Sequence, residues 1–239
     1  MSDSKPLADQ VALITGASRG IGLAIARRLG QMGARLALCA RNDSVLQKAV
    51  AGLHADGIEA YGWPADVTQP GEIARLLQQT NSQLGEMDIL VNNAGIGVFG
   101  PAHEQSEADW DRVHTTNLKA VFLLSKAVAP QMIARRRGHI VNISSLAGKN
   151  VFAGGAIYCA SKWGLQGLTG CMAEDLRQYG IRVSSVCPGS VHTDFSPHAG
   201  KAAERMLQPD DVAHVVAMLV TQSPTGFASE VLLRPTQKP

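Results

Sequence analysis

Short apolar runs take turns with longer amphipathic stretches along almost the whole chain. VALIT (11–15), RLALCA (35–40), DILVNN (88–93), HIVNIS (139–144), IRVSSVC (181–187) and EVLLRP (230–235) have the length and side chains of strands, and IEAYGWPADV (58–67) is a weaker seventh. Between them, 20–33, 43–55, 70–84, 106–137, 156–179 and 209–221 repeat apolar residues at helical spacing, the longest interrupted near Thr115–Asn117. Strand and helix in alternation imply parallel strands, because a parallel return needs a crossover connection. The strand-like runs are apolar nearly throughout, which fits a sheet covered on both faces.

The expected architecture is therefore α/β: a single doubly wound parallel sheet of about seven strands with helices on both faces, the Rossmann fold. No linker, repeat or low-complexity segment divides residues 1–239, so one domain is expected. A unit of this size buries roughly 70% of its unfolded surface and needs no disulfide or metal to hold it. Cys39, Cys159, Cys171 and Cys187 show no metal-binding spacing, nor do His103, His114, His192, His198 and His214, and no metal is expected. Cys39 and Cys187 lie in apolar runs and read as buried thiols of a reducing compartment. MSDSKPLADQ at the start has no apolar signal segment, and no run approaches the roughly 18 residues that span a bilayer. A cytoplasmic chain without a membrane partner is expected. A net charge of +2 is too small a bias to imply nucleic acid. Arg135–Arg137 reads as the charged end of a helix stopped by Gly138.

Doubly wound sheets bind ligands at the carboxyl ends of their strands. The first strand runs into TGASRGIG, with Gly16, Gly20 and Gly22 spaced GxxxGxG at the opening of a helix. Glycines let backbone approach a pyrophosphate, and the helix start offers free N–H groups and a positive dipole end, so a dinucleotide is expected here. A carboxylate at the end of the second strand would hold a ribose 2′-hydroxyl. Ala40-Arg41-Asn42 stands there instead. With the acid missing, Arg41 and the loop residue Arg19 favour a 2′-phosphate, hence NADP(H).

TGASRGIG (15–22), NNAG (92–95), Ser145, YCASK (158–162) and PG (188–189), in this order, resemble the short-chain dehydrogenases/reductases over nearly the whole chain. The resemblance implies one oxidoreductase domain over 1–239, with a short substrate lid at about 190–208 and a C-terminal tail at about 230–239. It implies Tyr158 as acid/base, Lys162 as its electrostatic partner, Ser145 as donor to the substrate carbonyl and Asn117 as a proton-relay residue. Ser145 fits the family's spacing to the tyrosine better than Ser144. Ser18 and Ile21 of the glycine loop, Asp66-Val67, Asn93-Ala94-Gly95, Pro188, Gly189, Val191 and Thr193 would line the cofactor. A homotetramer or homodimer is implied, pairing the helices at about 106–137 and 156–179, where Gly164, Gly167 and Gly170 permit close approach.

Tyr158 and Lys162 sit one helical turn apart, so their side chains share a face. Hydride transfer to a ketone leaves charge on oxygen, which needs a proton and a donor. A free phenol titrates near 10, and an adjacent ammonium is expected to bring it toward neutrality. The substrate expected is a small ketone or secondary alcohol with an apolar body, walled by Ile96, Leu146, Phe152, Phe195 and Met206. His192 and His198 read as loop residues near it, and Trp163 as packing or interface. Beside 3-oxoacyl-carrier-protein reductases the chain departs at its end, where FASEVLLRPTQKP lacks the expected glycine pair. An NAD-dependent secondary-alcohol dehydrogenase, a 3-oxoacyl-thioester reductase and a non-catalytic NADP-binding regulator remain the alternatives at this point.

Overall fold

A computed structural model describes residues 5–195 and 202–238. Seven parallel strands form one sheet in the order β3-β2-β1-β4-β5-β6-β7. They are β1 Val11–Thr15, β2 Arg35–Ala40, β3 Ala60–Pro64, β4 Ile89–Asn92, β5 Gly138–Ile143, β6 Ile181–Pro188 and β7 Glu230–Leu233. The helices are α1 Gly20–Gln31, α2 Asp43–Ala55, α3 Pro70–Leu84, α4 Glu107–His114, α5 Ala120–Arg135, α6 Ala156–Arg177 and α7 Pro209–Val220.

Strand periodicity explains the uninterrupted apolar runs. Ala12 and Ile14 of β1, with Leu36 and Leu38 of β2, face a core built with α1, α2 and α7 through Ile25, Leu29, Leu46 and Val216. Val11, Leu13, Ala37 and Cys39 face the opposite core, built with α3, α5 and α6 through Leu76, Leu124 and Leu176. Every position is therefore inside, on one side or the other. Winding reverses beside β1, which pairs with β2 on one edge and β4 on the other, and the ligand crevice opens there.

Two helix starts are capped by side chains. The Asn42 carbonyl accepts from Val45 N at 3.1 Å at the head of α2, and Ser106 Oγ accepts from Asp109 N at 3.1 Å at the head of α4. At the head of α1, by contrast, the N-cap Arg19 makes no side-chain cap, and the first turn carries no acid. Free N–H groups and the positive dipole end point into the crevice.

The interruption expected in the long helical stretch is a π-helical turn, Thr115–Lys119, that joins α4 to α5 and buries Asn117. The arginine run departs from expectation. α5 ends because Arg136 takes a left-handed conformation with φ 54°, and Gly138 is the first residue of β5 rather than the stop. Arg135 folds back onto Glu86 at 3.1 Å and Asp88 at 3.0 Å, and Arg137 reaches the same Asp88 oxygen at 3.0 Å. The other Asp88 oxygen accepts from Val11 N at 3.0 Å, so the run ties α5 to the start of β1. The expected C-terminal tail begins as β7, whose Leu233 carbonyl accepts from Gly189 N at 2.8 Å. Of the expected lid, residues 196–201, including His198, lie outside the described residues.

Candidate active site

A cleft of about 1480 Å³ runs across the carboxyl ends of the strands. Every residue expected to contact a dinucleotide lines it except Gly22, and Ser145 lines it too. Gly22 lies beneath the loop: a Cβ there would sit 2.4 Å from the Gly16 carbonyl oxygen and 2.6 Å from Asn93 Nδ2. Gly16 itself has φ +64° and backs onto Ala94, so this turn accepts no side chain. Thr15 stakes the loop to the end of β4, its Oγ1 accepting from Asn93 N at 3.1 Å and Ala94 N at 3.0 Å. Asn93 Nδ2 donates to Thr15 O at 2.9 Å and Gly16 O at 3.2 Å. A narrow glycine turn against an uncapped helix start fits a diphosphate.

At the adenosine end, Asn42 is occupied as the α2 cap, and Asp43 accepts from Gln47 Nε2 at 2.9 Å along its own helix. Neither presents a carboxylate to the cleft. Arg41 lines the cleft and makes no hydrogen bond or ion pair among the described residues. Arg19 meets Asp194 at 3.3 Å with both side chains exposed, a contact of little energy. Asp66 Oδ1 accepts from Thr68 N at 2.9 Å and shapes the turn after β3. These residues fit a 2′-phosphorylated nucleotide.

At the other end, β5 delivers Ser145, whose Oγ accepts from Ala147 N at 3.1 Å and so heads the short turn Leu146–Gly148. Ser144, adjacent, is buried beside β6. α6 supplies Tyr158 and Lys162, both buried. Lys162 Nζ donates to Ile143 O at 3.0 Å and lies 5.8 Å from the centre of the Tyr158 ring. Burial pushes the phenol up to about 12, with the Ser145 hydroxyl opposing, and burial pushes the lysine down to about 8. Desolvation is the largest cause for each group, and for Tyr158 it acts in the direction opposite to the sequence expectation.

Asn117 does not line the cleft. Its amide bridges Ile96 in both senses, Nδ2 to Ile96 O and Ile96 N to Oδ1, each at 2.9 Å. It also donates to Ser161 Oγ at 3.1 Å, and Ser161 donates to Tyr158 O at 2.7 Å. The side chain thus joins the segment after β4 to the turn of α6 that carries Tyr158.

Ile96, Leu146, Phe152 and Phe195 line the substrate end as expected. Met206 does not: it is buried outside the cleft lining. Phe99 was missed from sequence, although it follows NNAG by four residues. It packs edge-on to Tyr158 with ring centres 5.4 Å apart. Thr15, the first residue of TGASRGIG, was given no role from sequence. Trp163 is half exposed on α6, not core. Among the described residues no group of three His, Cys, Asp or Glu could hold a metal, and no helix is long and apolar enough to cross a membrane.

Residues 10–204 match the family model for short chain dehydrogenases. The fold is similar to a metagenomic short-chain oxidoreductase solved in complex with NADP, at 49% identity and TM-score 0.87, covering 98% of this chain and 100% of that one. It is also similar to a variant of the actinorhodin polyketide ketoreductase solved with NADPH, at 36% identity and TM-score 0.88, covering 94% and 95%. The 2-(S)-hydroxypropyl-CoM dehydrogenase 3 of Xanthobacter autotrophicus is 37% identical over 234 residues, 91% of this chain and 92% of that protein. With a family model matched over most of its length and a glycine turn, Ser145, Tyr158 and Lys162 gathered on one cleft, the chain belongs to the short-chain dehydrogenase family.

Proposed function

We propose that the protein is an NADP(H)-dependent oxidoreductase that reduces a ketone to a secondary alcohol and can run the reverse. The observation that carries this reading is a buried tyrosine hydroxyl and a serine hydroxyl together at one end of a cleft whose other end is an uncapped helix start. When bound, the cofactor supplies or accepts the hydride. The chain's own groups do the rest. Ser145 Oγ–H donates to the carbonyl oxygen, and Tyr158 gives up its proton as charge develops there. Lys162, anchored on Ile143 O, holds positive charge beneath the phenol and favours its ionised form after the proton leaves. Asn117 keeps Ile96 and the Tyr158 turn in register. Arg41, with Arg19, would hold the 2′-phosphate.

A screen of NADPH oxidation over aryl, alicyclic and straight-chain ketones, diketones and acyl thioesters tests the reading. Turnover on at least one ketone, lost by a factor of about 10² to 10⁴ in Tyr158→Phe, is expected. No turnover with any carbonyl, despite tight NADPH binding, would leave the non-catalytic reading standing. Strong preference for thioesters would favour the acyl-carrier role.

The chain is also read as a homodimer or homotetramer. Trp110, Phe122 and Trp163 are about half exposed on α4, α5 and α6, and a Cβ at Gly167 or Gly170 would meet nothing. Light scattering on the purified protein decides this. The four free cysteines, three of them buried, support a cytoplasmic location.

A further inference from the structure

The expected apolar wall contained Phe152 and Phe195; the structure adds Phe99 and packs the three as rings at the mouth of the substrate end. Phe99 stands against Tyr158 at 5.4 Å and 63°, and Phe195 at 5.8 Å and 54°. Phe152 lies 6.2 Å from Phe99 at 39°. Phe99 and Phe195 thus pack on the ring of the buried acid, and Phe152 packs on Phe99 in turn. They are not core: Phe99, Phe152 and Phe195 are 39%, 49% and 42% exposed. The backbone makes room for them. A Cβ at Gly97 would lie 2.7 Å from the Phe99 ring, and one at Gly155 would lie 2.7 Å from the Phe152 ring. Among the described residues, the cations lining the cleft are Arg19 and Arg41 at the nucleotide end, the buried Lys162, and His192 when protonated. Among the described residues no exposed lysine or arginine lines the substrate end, whereas a flat ring finds both edges and faces there.

We infer that this aromatic mouth selects ketones carrying an aryl ring near the carbonyl, in preference to aliphatic ketones of equal size. The inference rests on the ketone-reductase reading and names its substrate class. Simple hydrophobic burial makes a different prediction, since a saturated ring buries at least as much apolar area as a phenyl ring. Only ring–ring geometry favours the phenyl.

The deciding experiment compares 4-phenyl-2-butanone with 4-cyclohexyl-2-butanone, where the ring is insulated from the carbonyl and the intrinsic reactivity is matched. The expected kcat/KM with NADPH is about fivefold higher for the phenyl ketone, the size of one favourable ring pair. Phe99→Leu and Phe152→Leu keep apolar bulk and remove the π face, and each should bring the ratio down toward one. A wild-type ratio at or below one overturns the inference while leaving ketone reduction intact, and the wild-type measurement decides even if a variant folds poorly. A high ratio that survives both substitutions assigns selectivity elsewhere and also overturns it. Absence of turnover on both ketones and on the wider carbonyl panel overturns the reductase reading, and the inference falls with it.

Discussion

Lys162 Nζ lies 5.8 Å from the centre of the Tyr158 ring, one turn along α6, and is held there by the Ile143 carbonyl at 3.0 Å. Both groups are buried, and burial moves them in opposite directions, the phenol up to about 12 and the ammonium down to about 8. The free protein therefore presents a protonated phenol, the form that ketone reduction consumes. Because kcat/KM reports groups of the free enzyme, ketone reduction should be level across neutral pH and decline above about 8, as Lys162 loses its proton. Initial rates at subsaturating ketone check this. A decline centred well below that value would mean that the phenol ionises far earlier than its surroundings allow.

The same burial has a stability consequence. Lys162 titrates near 8 in the folded chain against 10.5 ordinarily, so the unfolded chain binds more protons between those values. Stability then rises with pH across that window, by roughly 3 kcal/mol at most. Lys162→Met removes the group, and its stability relative to wild type should be greatest below about pH 8 and shrink toward pH 10.5. Urea unfolding of both proteins at the two ends of the window is the measurement. A constant difference would place the lysine in contact with water.

Among the described residues, Arg41 lines the nucleotide end of the cleft without a hydrogen bond or ion pair. Arg41→Ala should raise the KM for NADPH about tenfold, a charge-assisted contact's worth, and leave that for NADH nearly unchanged. Equal effects on both cofactors would remove Arg41 from 2′-phosphate recognition.

Gly22 tests the cradle separately from the chemistry. A methyl group there meets backbone, 2.4 Å from Gly16 O, which cannot move aside cheaply. Gly22→Ala should lower thermal stability and weaken cofactor binding about tenfold or more, for a cost of about 1–3 kcal/mol. A thermal melt reads the first and calorimetric titration with NADP the second, and an unchanged affinity would show that the loop relaxes freely.

Asp88 lies at the other end of the sheet, nearly buried, between Arg135, Arg137 and Val11 N. Asp88→Asn leaves Arg135, only 20% exposed, short of one of its two carboxylates. A loss of roughly 2–4 kcal/mol is expected, with the kcat of the surviving folded enzyme unchanged. A selective fall in kcat would reveal coupling from this end of the sheet to the cleft.

The sheet was legible in the sequence because parallel strands covered on both faces leave a direct trace, unbroken apolar runs between helical periods. TGASRGIG and YCASK were legible for a similar reason, since a turn without side chains and a one-turn spacing are local facts. Phe99, the role of Thr15 and the inward role of the arginine run were not. Phe99 follows a loop whose path only Gly97 and Tyr158 explain, and Asp88 recruits Arg135 and Arg137 from a separate strand start.

By itself the sequence determined the element order, the parallel sheet and which short segments reach its carboxyl edge, because periodicity and turn chemistry act over a few residues. Only the folded chain decided the burial of Tyr158, the displacement of Met206 from the cleft and the packing of Phe99 against Tyr158 at its mouth. Those depend on desolvation and on contacts between segments far apart in the chain, and neither is encoded in any one of them.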